Sequence, residues 1–241
     1  MAPERAVKIT ALEISIVVIL INGENCKHVD DSEKLGHFED GVGRKALFLD
    51  RDGVINEDFG HVHRIQDVKF LQGIFDLCRL AIRRDYSIIV VTNQGGIARN
   101  LYSEDAFHKL TSWMRRVFAD HGVFILDVYY CPYHPEFGVG SYKRDSADRK
   151  PRPGMLLRAK VEHCIDMSRS VLIGDKETDI EAGAAAGLGN TILLSGEAAG
   201  VCSKANYVVS SLPDAATILD RLGSKQAFGS LSQADLKMHT S

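Results

Sequence analysis

Short apolar runs alternate with longer segments of helical periodicity along most of the chain. Strands are predicted over 46–49, 87–91, 125–130, 170–173, 190–194 and 207–209. Helices are predicted over 73–84, 103–121, 154–165, 177–186 and 213–222. The strand runs are rich in β-branched residues and lack polar alternation, which is typical of strands covered on both faces. This alternation of elements predicts a Rossmann-like α/β fold, with a parallel sheet and helices on both of its faces.

The chain divides into a central domain and two terminal segments. Residues 27–43 are charged, aperiodic and glycine-containing, which indicates a linker behind a strand-like apolar run at 14–21. We therefore expect an N-terminal extension and linker over 1–43, the α/β domain over 44–223 and a polar tail over 224–241. The short connections after Asn56 and Gly96 leave no room for a separate cap domain.

Composition and charge exclude several classes of protein. The 29 Lys and Arg residues against 32 Asp and Glu residues give a net charge of −3, so the chain has no overall basic field for nucleic acid. The apolar run at 14–21 is far shorter than the roughly 20 residues of a membrane-spanning helix. The five cysteines are scattered and do not form a disulfide framework. We expect a cytoplasmic monomer without nucleic-acid or membrane partners.

Carboxylates and phosphate-binding groups follow the first two predicted strands. Asp50 and Asp52 come directly after the first strand, and side chains two apart in extended chain share a face, which directs Arg51 elsewhere. Thr92 follows the second strand and precedes the pair Gly95 and Gly96, where exposed backbone N–H groups can cup an anion. Since ligands of α/β sheets bind at the carboxyl ends of the strands, we expect these groups to meet.

The third and fourth strands bring further charges to the same edge. Pro151 keeps Lys150 out of the following helix, so its ammonium can reach inward. Asp175 and Asp179 are four residues apart and lie side by side if a helix has begun. Converging carboxylates repel one another unless a cation lies among them, and Mg²⁺ suits carboxylates together with a substrate phosphate. One carboxylate can attack phosphorus while its neighbour donates a proton, which describes a phosphoryl-transfer site.

In order along the chain, the stretches DRDGVIN (50–56), VVTN (90–93), RKPRPG (149–154) and IGDKETD (173–179) resemble the four motifs of the haloacid dehalogenase (HAD) superfamily. Within it, the chain is most similar to the heptose-bisphosphate phosphatases and the neighbouring histidinol-phosphate phosphatases. This resemblance covers about residues 45–222 and includes GHVH (60–63) and VYYCPYHPE (128–136). It implies a HAD-type domain without a cap.

The resemblance also implies a role for each residue of the site. Asp50 is the expected nucleophile, and Asp52 is the expected general acid that later activates water. Mg²⁺ is expected on Asp50, Asp175 and the backbone carbonyl of Asp52, with Asp179 supporting Asp175 or Lys176 from behind. Thr92 and Lys150 are expected to hold the transferring phosphoryl group. The expected substrate-binding residues are Asp58, Phe59, Gly60, His61, Asn93, Gln94, Gly95, Arg149 and Lys176.

The activity that the resemblance implies is Mg²⁺-dependent hydrolysis of the 7-phosphate of D-glycero-D-manno-heptose 1,7-bisphosphate through an aspartyl-phosphate intermediate. That reaction belongs to the supply of activated heptose for lipopolysaccharide. Histidinol phosphate is the alternative substrate within the same class. A non-catalytic sugar-phosphate-binding protein is the alternative from another class, although such a protein has no need of the Asp50 nucleophile.

One loop departs from the family pattern. The resembling enzymes commonly hold zinc with a Cys-x-His pair and a later Cys-x-Cys pair. Here Cys131 is followed two residues later by Tyr133, and Ser146 and Asp148 occupy the second pair. One expected ligand of four remains, and His134 and Asp148 are the residues that could complete a poorer site. We nevertheless expect no structural zinc. The loop must then be ordered by packing of Phe137 and Tyr142, or stay mobile until substrate arrives.

Overall fold

The computed structural model describes residues 43–196 and 202–234, and this part of the chain forms a parallel sheet of six strands. The strands are β1 (Lys45–Leu49), β2 (Tyr86–Asn93), β3 (Ile125–Cys131), β4 (Val171–Gly174), β5 (Asn190–Leu194) and β6 (Tyr207–Val209). The helices are α1 (Ile74–Arg83), α2 (Gly95–Ala98), α3 (Glu104–Asp120), α4 (Gly154–Glu162), α5 (Glu177–Ala185) and α6 (Leu212–Ala234). The predicted Rossmann-like fold is confirmed.

Three helices differ from the sequence prediction. The pattern missed α2, because four residues are too few to show a helical period. Helix α4 ends at Glu162 instead of residue 165, and Cys164 behind it has a left-handed φ of 51°. Helix α6 continues to Ala234, so the predicted end at 222 and the start of the predicted tail at 224 fall inside it. It passes Gly223, where the absent side chain makes room for the stem of Arg84.

The predictions for the two ends of the chain lie mostly outside the described residues. These are the N-terminal extension with its apolar run at 14–21 and the last part of the tail, over 235–241. Among the residues described above, no helix combines the length and the apolar character needed to cross a lipid bilayer.

Two apolar layers cover the sheet. Alternate residues of β1 enter opposite layers: Leu47 and Leu49 pack with α1, α3 and α6, while Ala46 and Phe48 pack with α4 and α5. All five residues of β1 are buried, as expected for a central parallel strand. The two-sided burial explains why the strand runs lack polar positions.

The strand order places a crevice beside β1. The order is β3-β2-β1-β4-β5-β6, so the chain builds outward from β1 in both directions. In open α/β sheets a ligand binds at such a switch point, outside the carboxyl ends of the strands. The register puts Leu49 opposite both Val90 of β2 and Ile173 of β4, so the residues that follow these three strands emerge together.

Candidate active site

A pocket of about 360 Å³ opens at the carboxyl ends of the central strands. Its lining residues are Asp50, Asp52, Asp58, Gly60, His61, Thr92, Asn93, Gly95, Arg99, Tyr102, His134, Arg149, Lys150, Lys176, Thr178 and Asp179. Most of the predicted site residues are therefore brought together. Phe59 is an exception, because its side chain is 57% exposed and its ring lies beside the Lys69 ammonium at 4.8 Å.

Lys150 lies at the centre of a buried ionic cluster. Its ammonium is 2.9 Å from Asp50 Oδ1 and 2.6 Å from Asp179 Oδ1, and it donates a hydrogen bond of 2.8 Å to the Val91 carbonyl. Asn93 holds the Lys150 peptide through two hydrogen bonds of 3.0 Å each. Burial alone would lower the pKa of Lys150, but the two carboxylates raise it. The ammonium thus remains charged next to Asp50.

Three carboxylates form a second group that fits a divalent cation. Single oxygens of Asp50, Asp175 and Asp179 lie within 4.8 Å of one another. Burial, together with the charge of Asp50, raises the pKa of Asp175 to about 7. Within the described residues, the buried Asp175 Oδ1 accepts no hydrogen bond. Hard oxygen ligands with an unused lone pair are what Mg²⁺ requires, so the carboxylates of Asp50 and Asp175 in this group fit the expected ion.

Gly53 makes the approach of Asp175 possible. It has a φ of 93°, a left-handed conformation that favours glycine, and a Cβ at this position would collide with the Asp175 carboxylate. The turn that follows Asp52 is closed by hydrogen bonds of 2.8 and 3.1 Å from the Ile55 and Asn56 N–H groups to the Arg51 carbonyl. The turn therefore brings the segment after β1 against the segment after β4.

Asp52 is held by Gln94, which was expected to bind substrate, and by Arg51 and Asn56, which had no expected role. Arg51 Nε and Nη2 donate to its carboxylate, with the shortest distance 2.7 Å to Oδ2. Asn56 Nδ2 donates to Oδ1 at 3.0 Å, and Gln94 Nε2 donates to Oδ2 at 3.2 Å. Arg51 is absent from the pocket lining, as the alternation of an extended chain predicts, yet its guanidinium turns back onto the neighbouring carboxylate.

The expected phosphate contacts come from the end of β2 and from the residues that follow it. Thr92 is almost fully buried, and its Oγ1 accepts a hydrogen bond of 2.8 Å from Gln94 Nε2, which leaves the hydroxyl proton free for a phosphoryl oxygen. The Gln94 N–H donates to the Cys131 carbonyl at 2.8 Å, so this amide is already used within the fold. Gln94 thus contacts the site through its side chain, behind the pocket wall.

The segment over 58–61 forms one side of the pocket mouth. Asp58 accepts a hydrogen bond of 2.9 Å from the Gly60 N–H and one of 3.0 Å from the Lys176 ammonium. Lys176 also lies 3.5 Å from Asp175 Oδ2. Gly60 and His61 have φ values of 77° and 57°, which turn the chain back toward the pocket. Lys176 therefore links the mouth to the carboxylate group.

Three basic side chains, those of Arg99, Arg149 and His134, also line the pocket. The Arg149 guanidinium and the His134 ring both lie next to Gly95. Burial and the positive charge of Arg99 lower the pKa of Arg149, and burial and both arginines lower the pKa of His134. His134 Nδ1 accepts the Glu136 and Phe137 N–H groups at 3.2 Å each, which places its ring proton on Nε2. Arg99 and His134 are site residues that the sequence analysis missed, along with Tyr102 and Thr178.

Asp179 supports the site through Lys176 and Lys150. Its Oδ1 pairs with Lys150, and its Oδ2 accepts the Lys176 N–H at 3.1 Å at the start of α5. It is almost completely buried. It therefore holds the backbone of Lys176, one of the two residues that it was expected to support, and it also holds Lys150.

Aromatic and ionic contacts hold the loop that departs from the family pattern. Glu104 accepts hydrogen bonds from the hydroxyls of Tyr142 and Tyr130, at 2.6 and 2.5 Å. The Arg144 guanidinium lies 3.7 Å from the centre of the Tyr133 ring. Phe137 is half-exposed and contacts Arg99 at 4.5 Å.

The side chains at the four positions where the resembling enzymes hold zinc have other surroundings here. Burial raises the pKa of the Cys131 thiol, whereas zinc binds the thiolate. The Asp148 carboxylate pairs with Arg158 at 3.2 Å, and the Ser146 hydroxyl accepts the Asp148 N–H at 3.2 Å. The Tyr133 ring lies against Arg144. The absence of structural zinc stays a prediction.

Comparisons with known proteins identify relatives of this chain. The family described as HAD-hydrolase-like matches residues 147–215. A D-glycero-alpha-D-manno-heptose-1,7-bisphosphate 7-phosphatase of Burkholderia mallei is 52% identical over 166 residues, 68% of this chain and 88% of that protein. The D-glycero-beta-D-manno-heptose-1,7-bisphosphate 7-phosphatase of Vibrio cholerae is 48% identical over 153 residues, 64% of this chain and 82% of that protein.

A solved structure extends the likeness to three dimensions. The D,D-heptose 1,7-bisphosphate phosphatase of B. bronchiseptica, complexed with magnesium and phosphate, superposes with a TM-score of 0.63 at 26% identity. The match covers 73% of this chain and 97% of that one.

Proposed function

The chain belongs to the D-glycero-manno-heptose-1,7-bisphosphate 7-phosphatase family of HAD-like hydrolases, and from this premise we propose how its residues hydrolyse the 7-phosphate. The observation that carries the proposal is the buried contact between Lys150 and Asp50 at the edge where Asp175 also lies. It unites an anionic nucleophile, a cation for phosphoryl oxygens and a site for a divalent ion.

In the first half-reaction, a carboxylate oxygen of Asp50 attacks the phosphorus of the 7-phosphate. The bond between phosphorus and the C7 oxygen breaks, and Asp52 donates a proton to that leaving oxygen. Thr92 Oγ1 donates a hydrogen bond to a transferring phosphoryl oxygen, where negative charge is concentrated. Lys150 Nζ turns its hydrogen from Asp50 to a second phosphoryl oxygen and keeps its contacts with Asp179 and Val91. The products are the heptose 1-phosphate and an aspartyl phosphate on Asp50.

In the second half-reaction, Asp52 takes a proton from water as the water oxygen attacks the same phosphorus. The bond between phosphorus and the Asp50 oxygen breaks, which releases orthophosphate and restores the Asp50 carboxylate. Asp52 regains the proton that it gave to the sugar, so the cycle is balanced.

Asp50, Asp175 and the backbone carbonyl of Asp52 would hold Mg²⁺ in this site. When bound, the ion neutralises charge on the phosphoryl oxygens and keeps them beside the nucleophile. Asp179 stays outside this set because it is committed to Lys150 and to the Lys176 N–H.

The cations of the mouth favour a bisphosphate over histidinol phosphate. Arg99 and Arg149 can pair with a second phosphate at the far end of the substrate, whereas the amino group of histidinol carries a positive charge and meets repulsion there. Asp58, His61 and Lys176 also line the pocket, where they can contact sugar hydroxyls.

Phosphate release from a panel of substrates tests the proposal. With Mg²⁺ present, both anomers of the heptose 1,7-bisphosphate are compared with histidinol phosphate and with heptose 1-phosphate. We expect one phosphate to be released per bisphosphate and little from the other two compounds. A higher kcat/KM for histidinol phosphate would overturn the substrate assignment. The oligomeric expectation, a monomer, is tested on the same protein by gel filtration.

The Asp50→Asn variant separates an enzyme from a binding protein. We expect it to retain measurable binding of the bisphosphate, weakened by the loss of one Mg²⁺ ligand, and to lose turnover by a factor on the order of 10³ or more, because the nucleophile is gone. Binding without turnover by the unaltered protein would instead indicate a sugar-phosphate-binding protein.

A further inference from the structure

Arg51 carries a buried positive charge that the steps above do not use. Its side chain is 2% exposed, and by volume it is the largest fully buried side chain among the described residues. Burying a charge is costly unless it is paired and hydrogen-bonded. Its partner is the carboxylate of Asp52, the residue next to it in the chain and the proposed acid and base of the reaction.

The guanidinium contacts both oxygens of that carboxylate. Nε and Nη2 donate to Oδ1 at 3.1 and 3.0 Å, and Nη2 donates to Oδ2 at 2.7 Å. A planar group that donates to two oxygens fixes the plane of the carboxylate as well as its position. The amides of Asn56 and Gln94 add a single donor each, so they fix the orientation less strictly.

The guanidinium is itself held from the side of the pocket mouth and from α3. Nη2 also donates to the Val62 carbonyl at 2.6 Å, directly behind the segment over 58–61 that lines the pocket. The Phe107 ring of α3 lies 5.9 Å from the guanidinium carbon. The Asp52 side chain, in contrast, is 15% exposed and lines the pocket. Arg51 is thus anchored in the fold, and Asp52 faces the pocket.

We propose that Arg51 is a positioning residue that holds the Asp52 carboxylate in the orientation from which it exchanges a proton with the leaving oxygen and with water. This inference rests on the roles of Asp50 and Asp52 in the proposed function. Removing the guanidinium lets the carboxylate rotate about its χ angles, which slows proton transfer. Substrate affinity changes little, because Arg51 does not line the pocket.

The test uses Arg51→Met and Arg51→Lys with p-nitrophenyl phosphate, whose leaving group departs without a proton. Aspartyl-phosphate formation then needs no acid, while its hydrolysis still needs Asp52 as a base. For Arg51→Met we expect a rapid burst of about one nitrophenolate per enzyme, followed by steady turnover about 100-fold slower than in the unaltered protein. Arg51→Lys keeps the charge but loses the planar fork, and we expect the same burst with a smaller loss.

Arg115→Met is the matched control. Arg115 also donates from a partly buried guanidinium to backbone carbonyls, those of Ile125 and Leu126, at 2.9 and 3.3 Å. It lies on α3 away from the pocket lining, so we expect its loss to lower the melting temperature without a burst. If Arg51→Met fails to melt cooperatively, Arg51→Lys decides the outcome.

Two results would overturn the inference: near wild-type turnover by a folded Arg51 variant, or slowing of the burst and the steady phase by the same factor. Neither depends on the natural substrate. If the unaltered protein released no phosphate from the heptose bisphosphate, the substrate assignment would fail while the burst measurement could still be made.

Discussion

Lys150 Nζ lies 2.6 Å from Asp179 Oδ1, and both side chains are at most 3% exposed. The pair connects the loop after β3 to the first turn of α5, two segments that reach the site from opposite sides of β1. Asp179 also accepts the N–H of Lys176, so one carboxylate fixes both the ammonium and the start of the helix. Asp179 therefore contributes to stability and to the geometry of the phosphoryl site at once.

Replacing Asp179 with Asn should lower the free energy of unfolding by about 3 kcal/mol, because the buried Lys150 loses one of two counter-charges. Turnover should also fall, since Lys150 is no longer held at Val91 and Asp50. Urea unfolding measures the first effect, and phosphate release measures the second. Asp220→Asn is the control, because its pair with Arg84 is about 40% exposed and should contribute far less. Equal losses in the two variants would contradict the buried role.

Asp175→Asn should weaken the binding of Mg²⁺ to the proposed site. The variant loses a buried carboxylate oxygen that accepts no hydrogen bond within the described part of the chain, so the Mg²⁺ concentration at half-maximal turnover should rise at least about tenfold. The measurement is turnover of chelator-treated protein during titration with Mg²⁺. The matched variant Asp120→Asn, at the exposed end of α3, should follow the unaltered protein. An unchanged titration curve for Asp175→Asn would remove this residue from the metal site.

Asp52→Asn should lose turnover and retain Mg²⁺ binding. The proposed metal contact of this residue is its backbone carbonyl, which the substitution leaves in place, whereas proton transfer needs the carboxyl group. A turnover loss on the order of 10² or more is expected. Calorimetric titration with Mg²⁺ checks the second half, and a parallel loss of Mg²⁺ affinity would contradict the division of roles.

Arg99→Met and Arg149→Met should separate bisphosphate from monophosphate substrates. Each variant loses a charge-assisted contact to the second phosphate, so KM for the heptose bisphosphate should rise about 10- to 100-fold. KM for p-nitrophenyl phosphate, which has no second phosphate, should change less than about threefold. Steady-state kinetics on both substrates provides the measurement. The control is Arg116→Met, at an exposed position on α3, and a uniform rise in KM for both substrates would argue against a distal phosphate contact.

The central residues of the proposed site are predictable because strand ends locate them. Once the apolar runs define β1, β2 and β4, the residues behind each run must meet at one edge of a parallel sheet, and this places Asp50, Thr92 and Asp175 together. No side-chain contact has to be known in advance. The same reasoning brings Lys150 inward, and its buried contacts agree with it.

The rest of the site depends on side chains from segments whose path has no periodic signal. Arg99 reaches the mouth because the short helix α2 turns the chain after β2, and His134 because an irregular loop folds back over Gly95. The position of the Arg51 guanidinium depends on the sharp turn at Gly53. Next to this turn, the long Arg51 side chain bends toward the carboxylate of Asp52. Helix α6 exceeds its predicted length because packing against Arg84 tolerates a glycine that would weaken an isolated helix.

Glu104 links α3 to the loop that carries His134 and Arg149. It accepts the hydroxyls of Tyr130 and Tyr142, while the Tyr142 carbonyl accepts the His134 N–H at 3.1 Å. Glu104→Gln replaces a carboxylate acceptor by a weaker amide, and we expect KM for the bisphosphate to rise about threefold with little change in kcat. Glu162→Gln, which removes the analogous partner of Tyr129 outside the pocket, should leave KM unchanged.

The same carboxylate should give the protein part of its sensitivity to acid. Hydrogen bonds from Tyr130 and Tyr142 lower the pKa of Glu104 below its ordinary value of 4.5. A carboxyl whose pKa is lower in the folded than in the unfolded state stabilises the fold above the unfolded value, and this contribution is lost as pH falls through the folded value. The melting temperature should therefore fall less steeply below pH 4.5 in Glu104→Gln than in the unaltered protein. The measurement is the melting temperature of both proteins at a series of pH values from 6 to 3. An equal fall in the two proteins would show that the hydroxyl contacts do not stabilise the ionised form.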